Sequence, residues 1–192
     1  LARALRRALR LVFSPAGEWR AIRAEAPAAR TVLLSFAMPL ACVPAASWSL
    51  GLLLFGGSAG TSRAGSVLGI EQILRGGLVV YVCAILSLLS LSASVFALAP
   101  LFDCRRDWRR ALQVAAYSGA PVLLGGVILI MPDLAFALLL PCLHGAYLLY
   151  GGLQIVLGVK EDQAAEYVAL GVVLLTIATT AMGALGAALG IL

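Results

Sequence analysis

Residues 76–102 read GGLVVYVCAILSLLSLSASVFALAPLF, twenty-seven positions without one Asp, Glu, Lys or Arg. A helix rises about 1.5 Å per residue and about 20 apolar residues cross a bilayer's hydrocarbon core, so this stretch is long enough to span. Four other stretches share the property: residues 31–62, 111–132, 134–159 and 167–192, of 32, 22, 26 and 26 residues. Hydrocarbon offers no water to backbone polar groups, so uncharged runs of this length imply helices that satisfy their own backbones. The fold class that follows is all-α. It is a polytopic membrane protein with five transmembrane helices, over about 31–55, 73–101, 113–131, 134–158 and 166–191. Residues 1–30 form an N-terminal cytoplasmic or interfacial amphipathic segment, and residues 31–192 the five-helix transmembrane domain.

Composition agrees. The 192 residues are 62% hydrophobic and 12% charged, against about 25% charged for a soluble domain. A net charge of +5 would suggest nucleic acid in a soluble protein, but the position of the charge excludes that reading here. Seven arginines precede the first uncharged stretch, Arg105, Arg106, Arg109 and Arg110 lie between the second and third spans, and Lys160 lies between the fourth and fifth. With the N-terminus in the cytoplasm, twelve of the fourteen basic residues fall inside and only Arg63 and Arg75 outside. Cytoplasmic loops carry the Lys/Arg excess, so the expected topology is N-terminus in, C-terminus out. Residues 1–13 lack an apolar core before a small-residue cleavage site and do not read as a cleavable signal.

Those residues, LARALRRALRLVF, place Arg3, Arg6, Arg7 and Arg10 within an arc of about 100°, with Leu1, Leu5, Leu9 and Val12 opposite. A basic face opposing an apolar one suits a helix lying over anionic lipid; the alternative is a helix packed on the end of its own bundle. Ser14-Pro15 restarts the helix, serine suiting the N-cap and proline the first helical position. Trp19 then reads as an interface anchor. Pro39 and Pro44 should kink the first span. Ser87, Ser90 and Ser94 place hydroxyls on one face of the second, where interhelical hydrogen bonds are expected. Pro132-Asp133 joins spans three and four in a tight hairpin, and Gly186 and Gly190 have the spacing of a helix–helix contact, within the bundle or in a homo-oligomer.

Chemistry-bearing groups are few. His144 is the only histidine and heads a seam with Tyr147, Gly151, Gln154 and Gly158. Ionisable residues at membrane depth are functional candidates, although a neutral histidine hydrogen-bonded inside a bundle is the commoner case. Cys142 lies two residues away, about 200° round the helix, and no span contains Asp or Glu, so neither a metal site nor a histidine triad can be assembled. Cys42, Cys83, Cys104 and Cys142 have no ligand spacing and read as small apolar side chains. No cofactor motif is present. Antiparallel helices turning near Pro132 bring Tyr117 level with Tyr147 and Pro121 near His144, which suggests a buried polar layer of Tyr117, His144 and Tyr147.

The order of local motifs adds an independent line. Ser14-Pro15-Ala16-Gly17-Glu18-Trp19 with Ile22 and Glu25 precedes the first span, which contains Met38-Pro39-Leu40. Ala116-Tyr117-Ser118-Gly119-Ala120-Pro121 opens the third span, Pro132 closes it, and Tyr147-Leu148-Leu149-Tyr150-Gly151-Gly152-Leu153 follows in the fourth. This arrangement, over about residues 14–180, resembles bacterial members of the Yip family, the Ypt/Rab-interacting membrane proteins. The resemblance implies a five-helix fold with a cytoplasmic N-terminus, here in a bacterial inner membrane. Eukaryotic relatives are membrane scaffolds that bind small GTPases; no GTPase-binding residue carries over to this chain. Two positions depart from the family's habit: His144 stands where an aromatic is usual, and Lys160 where a proline often follows the fourth span.

The expected function is a non-catalytic scaffold or accessory subunit that organises membrane lipid or a protein partner, rather than an enzyme. Its candidate contacts are Arg3, Arg6, Arg7, Arg10, Arg105, Arg106, Arg109 and Arg110. The alternative is a small-solute transporter or channel around the His144 seam. A water-filled cavity reaching His144 would favour transport, and a dry interior the scaffold.

Overall fold

The computed structural model describes residues 2–55 and 69–188. Leu1, the loop carrying Arg63, and Gly190 with its glycine spacing to Gly186 lie outside the described residues. Two short helices, α1 (Ala2–Phe13) and α2 (Pro15–Glu25), lead into five helices long and apolar enough to cross a membrane. These spans are Ala29–Phe55, Ile70–Phe102, Trp108–Ile130, Asp133–Leu157 and Glu161–Gly186. Among the described residues there is no strand. The protein is an all-α multi-pass membrane protein.

The third span forms the centre of the bundle. Residues 111–118 are all buried, and the first, second and fourth spans pack around them. The fifth leans on the second and fourth by a narrow stripe. Its Tyr167 is buried, stacks on Phe102 with ring centroids 4.4 Å apart and donates its hydroxyl to the Val95 carbonyl. Elsewhere the fifth span shows Val172, Val173, Ile177 and Leu185 outward, as lipid-facing residues should be.

Departures from the regular α-helix mark where the chain must bend. The first span contains a π-helical turn over Leu33–Ala37, directly ahead of Pro39, which has no N–H to donate. Gly51 in the same span meets the backbone of the third so closely that a Cβ would lie 2.6 Å from the Ile130 carbonyl oxygen. The hairpin at Pro132 is not two straight α-helices. Its arms are 3₁₀-helical over Gly126–Ile130 and Pro132–Leu138, and the tighter winding turns the faces of spans three and four relative to simple α-helical arithmetic. Gly158, at φ 77°, ends the fourth span in the left-handed conformation that glycine adopts without strain.

Among the described residues, the serine face of the second span forms no interhelical hydrogen bond. Ser94 Oγ donates back to the Ser90 carbonyl of its own helix, and Ser92, the most deeply buried serine of the span, has no hydrogen-bond partner for its hydroxyl among the described residues. Small size, not hydrogen bonding, is what these serines contribute to packing.

Candidate functional site

The polar groups of this chain converge at the end of the bundle that carries α1 and α2. Three stripes divide α1. Ala4, Ala8 and Leu11 are buried in the core; Leu5, Leu9 and Phe13 face outward; Arg3, Arg6 and Arg10 are exposed on the third side. The helix therefore packs on its own bundle, and it does so without losing an apolar ridge or its basic face. Small alanines at the contact let the helix axis approach closely.

Arg7 lies on the boundary between the basic and buried stripes and turns inward. Its Nη1 donates to Glu25 Oε2 at 2.8 Å, and its Nε lies 3.0 Å from Glu18 Oε1. The guanidinium also sits 5.2 Å from the centroid of Tyr117 in the third span. Burial alone would push the Arg7 guanidinium down. The hydrogen bond to Glu25 and the charges of Glu25 and Glu18 more than offset that, so its pKa is raised and the charge is held. Arg10, 4.0 Å from Glu18 and largely exposed, adds only a solvent-screened pair. Of the four basic residues of α1, Arg7 is thus internal and Arg3, Arg6 and Arg10 are presented outward.

Beneath Arg7, Tyr117 packs against Phe36 at 4.5 Å between centroids and edge-on to Trp19 at 6.3 Å. Trp19 is no interface anchor: it is 1% exposed, driven into the bundle against Gly152 of the fourth span. A Cβ at that glycine would stand 2.8 Å from the indole, so only glycine admits the ring. One arginine and three aromatics therefore join α1, α2 and three spans.

The linker after α2 is fastened as well. Ala26, at φ 39°, ends the helix, and Gln113 of the third span donates to the Pro27 carbonyl at 2.7 Å. Arg109 reaches the Ala26 carbonyl at 3.4 Å, and Arg110 the Val156 carbonyl at 3.5 Å. Asp107 caps the third span by accepting from the backbone N–H groups of Arg109 and Arg110 at 2.9 and 3.3 Å. Arg105 and Arg106 stay exposed on the loop, with Arg106 5.8 Å from the Phe96 ring centroid.

The polar layer of Tyr117, His144 and Tyr147 does not form. Tyr117 is committed to Arg7, Trp19 and Phe36, while Tyr147 is 58% exposed on the outer surface. His144 keeps its ring 5.9 Å from Tyr147, and its buried Nε2 has no hydrogen-bond partner. The residues level with one another point apart because span four offers Gly145, not Tyr147, to span three. A Cβ there would be 3.1 Å from the Ser118 carbonyl oxygen. The buried face of span four is Gly145, Leu148, Leu149, Gly152, Leu153 and Val156, so the seam through His144 lies beside the contact.

A cavity of about 480 Å³ does lie among the second to fifth spans, lined by side chains such as Leu88, Leu91, Leu123 and Leu149. It is chiefly apolar, and His144 is not among its walls. Among the described residues no three His, Cys, Asp or Glu side chains group as metal ligands would.

Gln113 and Tyr167 carry no signal in the sequence, and Glu18 and Glu25 enter there only as motif residues, without their role as partners of Arg7. A usable signal for that pairing is their spacing: seven residues apart, Glu18 and Glu25 share one helix face in an otherwise basic segment.

Residues 9–183 match the family model described as Yip1 domain. No curated protein and no solved structure matches the chain.

Proposed function

We propose, for a chain that belongs to the Yip family, that it is a non-catalytic membrane scaffold or accessory subunit whose working surface is its basic end. The observation that carries this reading is the inward turn of Arg7 between Glu18 and Glu25, which fixes α1 and α2 to the bundle. With the helices fixed, Arg3, Arg6, Arg10, Arg20, Arg23, Arg105 and Arg106 stand exposed on a shaped rim rather than on loose arms. Such a rim complements an acidic protein surface or anionic headgroups. Each basic residue near an anionic membrane is worth about 1 kcal/mol, so the effect must be collective. The Lys/Arg distribution supports a cytoplasmic position for this rim, with the C-terminus outside, and the motif resemblance suggests a bacterial inner membrane.

The transport reading draws less support. The intramembrane cavity is chiefly apolar, with Ser87, Ser118 and Thr176 as its hydroxyl groups, and bypasses His144, so it offers a polar solute few partners.

The test is gentle purification from native membranes, followed by mass spectrometry of co-purifying chains and lipids. The parent should retain an acidic partner or an excess of anionic lipid, released by salt. The Arg3→Gln/Arg6→Gln/Arg105→Gln/Arg106→Gln variant should lose it. Equal recovery from both would refute the proposal.

A further inference from the structure

Between α1, α2 and the start of the first span lies a pocket of about 420 Å³. Its upper wall is basic: Arg3, Arg6, Arg7 and Arg10 all line it. Its floor is Tyr117, with Thr31 and Ser35 on the side of the first span. Thr31 and Ser35 are one helical turn apart and share a face. Leu34 and Met38, farther along the same span, are exposed apolar groups.

The hydrogen-bond inventory of this pocket is incomplete from within. Tyr117, only 3% exposed, lines the pocket. Thr31 and Ser35 are exposed residues that line the open side of the pocket. Arg7 Nη2 is buried and makes no hydrogen bond. A buried donor without an acceptor costs about 1–3 kcal/mol, so the unpaired Arg7 Nη2, in a wall shared with three further arginines, points to an acceptor-rich occupant. Glu18 and Glu25 also line it, which leaves the four arginines in excess by two charges at neutral pH.

We infer that this pocket seats the phosphate headgroup of one anionic glycerophospholipid. The phosphate oxygens would accept from Arg7 Nη2 and from the Tyr117, Ser35 and Thr31 hydroxyls. The outer arginines would close over it, and headgroup hydroxyls could donate to Glu18 or Glu25. The acyl chains would leave along the exposed Leu34 and Met38. A lipid fits better than a free phosphate because the donors sit where a polar pocket meets the apolar surface of a span. The inference rests on the reading of the basic end as a lipid or partner surface, and narrows it to one site.

The experiment uses the full chain in nanodiscs of phosphatidylcholine doped with phosphatidylglycerol, with native mass spectrometry counting retained lipid. Tyr117→Phe/Ser35→Ala keeps every arginine and the aromatic stack but removes two hydroxyls. Arg105→Gln/Arg106→Gln removes rim charge outside the pocket. The parent should retain one phosphatidylglycerol per chain, and the hydroxyl variant should bind it about tenfold more weakly. The loop variant should keep it, and millimolar glycerol 3-phosphate should not displace it. Retention that ignores the hydroxyl variant and falls with the loop arginines would overturn the pocket while leaving the rim reading intact. No preference for phosphatidylglycerol over phosphatidylcholine would overturn the pocket and the lipid half of that reading together. Displacement by glycerol 3-phosphate would identify a soluble phosphate ester and overturn the lipid assignment.

Discussion

Trp19 and Gly152 meet so closely that the indole occupies the place a side chain at position 152 would take, 2.8 Å from a Cβ built there. Gly152→Ala should therefore force the ring or the helix to move and lower stability by about 1–3 kcal/mol. The clash is with the benzo half of the indole, so a Trp19→Phe background should reduce the effect. Thermal unfolding of the four proteins in detergent checks this. An identical shift in both backgrounds would mean that the contact is not its cause.

Arg7 and Arg10 carry the same charge on the same helix and should behave differently. Arg7→Gln leaves the buried Glu18 without its close partner and removes the cation from the Tyr117 face, at a cost of about 1–3 kcal/mol, while Glu25, more than half exposed, remains solvated. Arg10→Gln loses one exposed pair and should change stability by less than about 0.5 kcal/mol. A double-mutant cycle of Arg7→Gln with Glu18→Gln should show the stronger coupling, and a coupling near zero would remove Arg7 as the fastening of α1.

Removing His144 should matter little. Its buried Nε2 makes no hydrogen bond, so His144→Phe should leave thermal stability unchanged or slightly raised. Tyr167→Phe, which deletes the hydroxyl bonded to the Val95 carbonyl, should cost about 0.6–1 kcal/mol. A larger loss at His144 than at Tyr167 would restore the polar seam as a structural element.

Topology can be read by labelling cysteines in intact cells. Ser58→Cys should react from outside and Arg105→Cys should not, because the basic residues then lie in the cytoplasm. Position 107 is unsuitable, since Asp107 caps the third span. Native Cys104 should label slowly even in opened cells, because burial and then neighbouring Asp103 push its thiol up. External labelling at position 105 would invert the orientation.

The five spans were legible because lipid tolerates few charges, so each crossing leaves a long uncharged run. The family resemblance rested on motifs of which one physical role is now visible: Trp19 of the first motif needs Gly152 of the last. What stayed hidden was azimuth. Residue arithmetic put Tyr117 and Tyr147 at one depth, but the direction each faces depends on the 3₁₀ windings over Gly126–Ile130 and Pro132–Leu138. The same holds for Arg7. Its place on the helical wheel marks it as basic, and only the carboxylates arriving on α2 draw it inward.

Photo-cross-linking in native membranes tests the central claim most directly. A photoreactive residue at Arg6 or Arg106, on the basic rim, should capture a discrete acidic protein or anionic lipid, and capture should fall with salt. The same residue at Leu140 or Ile177, on exposed apolar surfaces of spans four and five, should capture bulk lipid only. Equal and salt-independent products from all four positions would contradict the account of this protein as an organiser that works through its basic end.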